Sequence, residues 1–395
     1  MRKLALAAAI WTVQVLAQTW SPLPEFPGTA RDDAAAFEIQ GKVYVGTGRQ
    51  VDFGLTNDWW SFDTGAATWA QVASLPASPR QYCAAFTVND TGYVFGGQDG
   101  NGALSELWAY YPQLDQWVQK ASLPAEARSA CAAAEGWDYG IVATGMLASG
   151  VPTNEAWRYR PALDEWDALS PVPGPSRHRA AGMLGFNGVV VAGGADSAFA
   201  PLNDAWSYAV WFETGEWYPV PALPEARAWL HGASNGLELL IGGQSEPGEL
   251  HADCWRHGAT GWEAVAAFGG GPRKGLVAVG QANGIGGYTC YAGLGIDSAS
   301  VRMKDWWKLD LSLGVAGSAP TRLDIFPNPA QDHLTLTVPS GLPPLSIRIV
   351  DATGRTVLQA TNVAGLDVSD FAPGSYSVLM WNTTTRYQGS FTKLP

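Results

Sequence analysis

Residues 92–128 read GYVFGGQDGNGALSELWAYYPQLDQWVQKASLPAEAR. An apolar run ends in the pair Gly96-Gly97; Trp108 follows eleven residues later, with Glu106 two places before it. Trp117, a turn at Leu123-Pro124 and Arg128 complete the stretch. Nothing in it keeps the 3.6-residue apolar period of a helix. Short segments punctuated by Gly and Pro read instead as strands and turns.

The same order recurs on both sides. A Trp ahead of a turn, proline-rich in all but the last copy, stands at Trp20, Trp69, Trp117, Trp166, Trp217 and Trp262, at spacings of 45 to 51 residues. Ten or eleven residues after each comes Arg31, Arg80, Arg128, Arg177, Arg227 or Arg273. The next strand ends in a glycine pair, clearest at 96–97, 193–194 and 242–243, with degenerate forms at Thr47-Gly48, Thr144-Gly145 and Leu294-Gly295. A second Trp follows at 60, 108, 157, 206, 255 and 307, each preceded at two residues by Asp58, Glu106, Glu155, Asp204, Asp253 or Asp305.

Six copies of four anchors in one register are not a chance pattern. A unit of about 50 residues holding four short strands has the size of a propeller blade. The glycine pairs supply unusual backbone angles, and the two Trp positions are expected to pack between adjacent blades. An Arg and a carboxylate present in every blade read as scaffold, namely partly buried ion pairs between strands; an Arg-lined anion funnel is the alternative. The sixth copy has 22 residues from Arg273 to Gly295 where the others have 16 or 17, which places an insertion near 281–288. The repeat region opens on a last-strand motif (Trp20) and ends on a third-strand motif (DWWKLDL, 305–311). The N-terminal strand is therefore expected to pair with 305–311 and close the ring, hiding its edges.

This order, Arg then YVxGG, D-x-W and T-x-x-W-LP, resembles the kelch repeat over roughly residues 19–311. The resemblance implies an all-β, six-bladed kelch-type β-propeller over 18–311, closed by its N-terminal strand. A linker is read at 312–322 (SLGVAGSAPTR). From 323 the register is lost, and alternating segments such as HLTLTV, LSIRIVD and SYSVLMW read as strands of a small Ig-like β-sandwich. LDIFPNPAQDHLTL, IRIVDATGRTVL, LDVSDFAPGSYSVLM and the terminal FTKLP stand in the order of the Bacteroidetes type IX secretion type A sorting domain, which residues 323–395 resemble. Pro327, Asn328 and Pro329 occupy its PNP motif. The resemblance implies the type IX machinery as a partner and a secreted or outer-membrane surface destination reached through the periplasm.

Composition agrees with that destination. The 395 residues carry a formal net charge of −12, 15% charged and 47% hydrophobic residues, and 19 Trp. Disorder is excluded by the hydrophobic content, and an acidic chain should not coat nucleic acid without a local basic patch. Arg2 and Lys3 followed by an apolar run to Leu16, with Val15 and Ala17 at the −3 and −1 places, read as a signal peptide over 1–17. No later run approaches membrane length, so no transmembrane segment is expected in the mature chain. Cys83, Cys131, Cys254 and Cys290 form no CxxC. They read as buried free thiols, since Cys packs as a small apolar residue.

The residue two beyond each repeat Arg differs from blade to blade: Asp33, Tyr82, Ala130, Arg179, Trp229 and Gly275. Variation on a constant frame is what a binding site on a repeat scaffold requires. Asp33, Tyr82, Arg179 and Trp229, with nearby His178 and His231, are the candidate ligand residues; an Arg among exposed aromatics suits a glycan or an acidic group. Metal ligands, cofactor motifs and a catalytic set are not identified: His251, Asp253 and His257 lack metal spacing, and Gly232–Gly236 matches GxSxG by letters alone. The reading is a binding module for an unknown extracellular glycan or protein. A sugar-modifying enzyme resembling N-acetylneuraminate mutarotase, which works with a carboxylate and an Arg, is the alternative, and a structural cell-envelope protein a third.

Overall fold

A computed structural model describes residues 18–394, except 137, 186–187, 209–214, 235–237, 259–260, 284–286, 313–320, 338–345, 352–355, 362–364 and 382–385. The signal-peptide reading, most of the 312–322 linker, Trp137 and Trp211 lie outside the described residues. Thr19–Leu311 forms one compact unit, and the chain from Ser312 belongs to another. Among the described residues every regular element is a strand, and no helix is long and apolar enough to cross a membrane.

The first unit contains six four-stranded antiparallel sheets. In the second blade they run Ala84–Val88, Thr91–Phe95, Leu107–Tyr111 and Gln116–Lys120, from inside to outside. Burial follows this order: the inner strand alternates, Thr91–Phe95 is wholly buried, and Gln116–Lys120 is largely solvated. The sixth blade combines Val277–Asn283, Gly287–Gly293 and Trp306–Ser312 with Trp20–Leu23 as its outermost strand, Trp20 opposite Leu309 and Leu23 opposite Trp306. Inner strands of consecutive blades touch, and Val277–Asn283 lies against both His231–Ala233 and Ala35–Ile39, so the sheets form a ring. The extra residues near 281–288 lengthen the inner hairpin of the sixth blade to seven residues per strand, paired out to Asn283 and Gly287.

Each repeat Arg is paired with the carboxylate of its own blade. Arg31–Asp58, Arg177–Asp204 and Arg273–Asp305 stand at 2.6 Å, Arg80–Glu106 and Arg128–Glu155 at 2.7 Å, and Arg227 contacts Asp253. The guanidinium groups are at most 4% exposed, whereas the carboxylates are 24% to 48% exposed. Buried cations tied in this way do not line a funnel. Each carboxylate also accepts the indole N–H of the second Trp, at 2.7 to 3.1 Å. Those second tryptophans therefore bond inside their own blade. It is the first set that joins blades: Trp69 donates to the Pro24 carbonyl, Trp117 to Ala73, Trp166 to Ala121, Trp217 to Ser170, Trp262 to Pro221 and Trp20 to Ala266.

A second ring of bonds uses the glycines. The N–H of Gly48, Gly97, Gly145, Gly194 and Gly243 donates to the repeat Arg carbonyl of the next blade, and Gly295 donates to Arg31. Gly97 shows why this position admits no side chain: φ is +87° and a Cβ would lie 2.6 Å from the Cys83 sulfur. The residue before tolerates more, since Thr47, Thr144 and Leu294 all adopt positive φ there.

The C-terminal unit has a five-stranded and a three-stranded sheet around Leu334, Ile349, Val378 and Phe391. Asn328 of the PNP motif donates to the Ser390 carbonyl at 3.0 Å and accepts from the Thr392 N–H at 3.1 Å, which ties the motif to the last strand, Arg386–Lys393.

Burial alone would raise the carboxyls of Asp58, Glu155 and Asp204, but their Arg and Trp partners prevail and hold them below the ordinary range. This contribution to stability is complete above the unfolded carboxyl range near pH ~4 and is lost as pH falls below it. Arg177→Ala should cost about 2 kcal/mol, less than the 3–5 of a fully buried pair because water reaches Asp204, and should flatten the stability loss between about pH 5 and 3. Urea unfolding across that range measures both. A variant as stable and as acid-sensitive as the parent contradicts the assignment.

Candidate functional site

The chain enters each inner strand through one left-handed residue. Asp33, Tyr82, Ala130, Arg179, Trp229 and Gly275 have φ between 53° and 61°. Left-handed geometry suits glycine, and Asn or Asp at small cost, and strains other residues, yet Tyr82, Ala130, Arg179 and Trp229 adopt it here. The strain is held by hydrogen bonds. Tyr82 N–H donates to the Asp33 carbonyl, Ala130 to Tyr82, Arg179 to Ala130, Trp229 to Arg179 and Asp33 to Gly275, at 2.9 to 3.1 Å. These five links run around the mouth of the central channel from Gly275 through Asp33 to Trp229, so whatever side chains stand here converge on one space.

That space is a cavity of about 120 Å³. All six mouth residues line it, and its deeper wall is small: Ala36, Ala85, Ala133, Gly182 and Gly232. Cys83 and Cys131 reach it too and are only half-buried, unlike Cys254 and Cys290; all four are free thiols. Of the six candidates from the sequence, Asp33, Tyr82, Arg179, Trp229 and His231 line the cavity. His178 does not: it is fully buried beside it, and its Nδ1 accepts from Arg179 Nη1 at 2.6 Å. A guanidinium only donates, so Nδ1 carries no proton and the ring is the Nε2–H tautomer. Burial, helped by Arg179, pushes His178 down to about 4; burial also takes His231 to about 4, against a hydrogen bond to the Leu276 backbone. Both rings are neutral at pH 7, so His178 positions Arg179 without adding charge.

Arg179 is clasped by aromatic faces, its guanidinium carbon 4.8 Å from the Tyr82 ring centre and 4.6 Å from that of Trp229. Cation–π contact of this kind fixes a cation without neutralising it. Its Nε is buried and has no hydrogen-bond partner. Lys274 stands 5.0 Å from the Trp229 ring and donates to Gln244 at 2.8 Å. Opposite in charge is Asp33. Burial and the neighbouring Asp32 carboxylate raise it to about 7, against Arg179, the Tyr82 hydroxyl and Lys274. Tyr82 is pushed up to about 12 by Asp33 and by burial, so it keeps its proton. The mouth thus holds two cations, two aromatic walls and a carboxyl able to lose or gain a proton near neutrality.

Lys274 escaped the sequence reading. It lies one place after Arg273, in the column Asp32, Gln81, Ser129, His178, Ala228 and Lys274, and comparing that column across the blades would have raised it. Asp32 also has a role invisible in the chain: it pairs with Arg302 at 2.6 Å, both groups buried, across 270 residues.

Arg179 is the strongest charge holding Asp33 down, and Asp32 is the charge pushing it up. Arg179→Met should therefore move the Asp33 titration above about 7 and Asp32→Asn below it. Carbon-13 NMR of the Asp side-chain carboxyls reads this directly; an unmoved titration in both variants contradicts the geometry.

The family described as the KLHDC2/KLHL20/DRC7 Kelch-repeats domain matches residues 5–185, and the one described as the secretion system C-terminal sorting domain matches residues 324–392. No curated protein matches the chain. The solved structure of YjhT is similar in fold, with a TM-score of 0.62 at 15% identity, over 72% of this chain and 95% of that one.

Proposed function

We propose, from the premise that this chain carries kelch repeats and a secretion-system C-terminal sorting domain and is a secreted or cell-surface protein, that its propeller binds an acidic glycan at the channel mouth. The sorting domain supports export by the type IX machinery. The observation that carries the reading is Arg179, which lines the cavity clasped between Tyr82 and Trp229. A sugar carboxylate would take the guanidinium and Lys274, while the sugar ring lies against an aromatic face. The chain is acidic overall, so a cationic mouth selects its ligand against the protein's own field. A half-open space of about 120 Å³ admits part of a small ligand and no folded partner.

Isothermal titration with galacturonate, glucuronate and N-acetylneuraminate tests this. One of them should bind, and Arg179→Ala or Trp229→Ala should weaken it at least tenfold, or about 1.4 kcal/mol. Below about pH 7 Asp33 is protonated and does not repel an anion, so affinity should fall as pH rises through 7. Asp33→Asn should remove that dependence; Asn also tolerates the left-handed backbone here. No binding by any acidic sugar refutes the reading and favours a structural role in the envelope.

A second reading rests on Asp33 itself. A carboxyl near pH 7 next to a fixed guanidinium suits proton transfer at a sugar ring oxygen, with Asp33 as acid and base and Arg179 on the sugar carboxylate. Faster anomeric exchange of N-acetylneuraminate in NMR, abolished by Asp33→Asn, would make this an epimerase or mutarotase; an unchanged exchange rate leaves binding alone.

A further inference from the structure

The loops over the mouth carry a feature the central site does not use. Phe53 adopts φ 65° and is 65% exposed. An aromatic residue held left-handed so as to face water contributes nothing to a core. Two cations stand over its ring, the Arg49 guanidinium carbon 4.7 Å and the Arg302 carbon 5.1 Å from its centre. Arg302 comes from the sixth blade and Arg49 from the first. Arg302 is anchored by buried Asp32, the residue before Asp33, so this platform and the mouth share one peptide link. Arg49 has no salt-bridge partner among the described residues. Asp52, the nearest carboxylate in sequence, caps its own turn by accepting from the Gly54 N–H at 2.9 Å. Phe199, also left-handed and 55% exposed, packs against His178 at 5.0 Å and has no such cation among the described residues.

We propose that Arg49, Phe53 and Arg302 form a second anion-and-ring subsite beside the mouth, so that the ligand is a chain of at least two acidic sugar units rather than a single one. This rests on the acidic-glycan reading of the mouth and specifies its ligand. One unit sits at Arg179 and Trp229; the next stacks on Phe53, with its carboxylate on Arg49. Charge complementarity commits the platform to an anionic occupant, and its exposed flat ring to a sugar face.

Titration of the full-length protein with two probe series tests it: galacturonate with its α-1,4-linked di- and trimer, and N-acetylneuraminate with its α-2,8-linked di- and trimer. In at least one series the dimer should bind about tenfold more tightly than the monomer. Phe53→Gly, which relaxes the backbone as it removes the ring, and Arg49→Gln should each erase that gain and leave monomer affinity unchanged. Arg179→Ala should lose monomer and dimer together. Equal monomer and dimer affinity in both series, or a gain that survives both loop variants, overturns the subsite and leaves the mouth standing. Failure of every probe to bind overturns both.

Discussion

Six buried guanidinium groups govern this molecule. A cation out of water needs a partner for its charge, and each repeat Arg finds one in the carboxylate of its own blade. In four blades its Nε donates to a carbonyl two residues before it. In five blades Nη1 reaches the carbonyl of the left-handed residue ending the second strand. The arginine thus staples the loop entering a blade to the loop between its second and third strands. Its own carbonyl then accepts the glycine N–H of the preceding blade. One side chain sets the shape of a blade and its junction with the next.

The site follows from that frame. Two residues past each arginine the backbone is already committed to a left-handed turn over the channel. No bond in the ring needs a particular side chain there, so Asp, Tyr, Ala, Arg, Trp and Gly all occupy it. The scaffold bears the strain, and the side chains are free to be chosen for a ligand. Phe53 and Phe199 repeat the principle one layer out, on loops that leave aromatic rings in water.

The frame was legible in the sequence because it recurs. Trp, Arg, glycine and carboxylate reappear in register, and the sixth blade could be read as completed by Trp20–Leu23 because the repeat region opens and ends on complementary strand motifs. The mouth was partly legible for the same reason, as the non-recurring column within a recurring pattern. Lys274 stood one column over and was passed by, while nothing near Arg302 and Phe53 in the chain marks them out. Arg302 meets Asp32 only when the ring closes across 270 residues. The Asp33 carboxyl is likewise set by the closed ring, which buries it and brings Arg179 and Lys274 to it beside its chain neighbour Asp32. The roles of the two Trp sets also needed coordinates: spacing alone does not say which indole reaches the neighbouring blade and which stays with its own carboxylate.

The claim that matters most is that Arg179 receives the acid group of a sugar. Crystals of the full-length protein grown with an acidic oligosaccharide would show it directly. The account predicts a carboxylate within hydrogen-bond distance of the Arg179 guanidinium, about 2.7–2.9 Å, with the sugar ring against Trp229. An empty mouth, or a sugar bound on the outer strands away from Arg179, would contradict it.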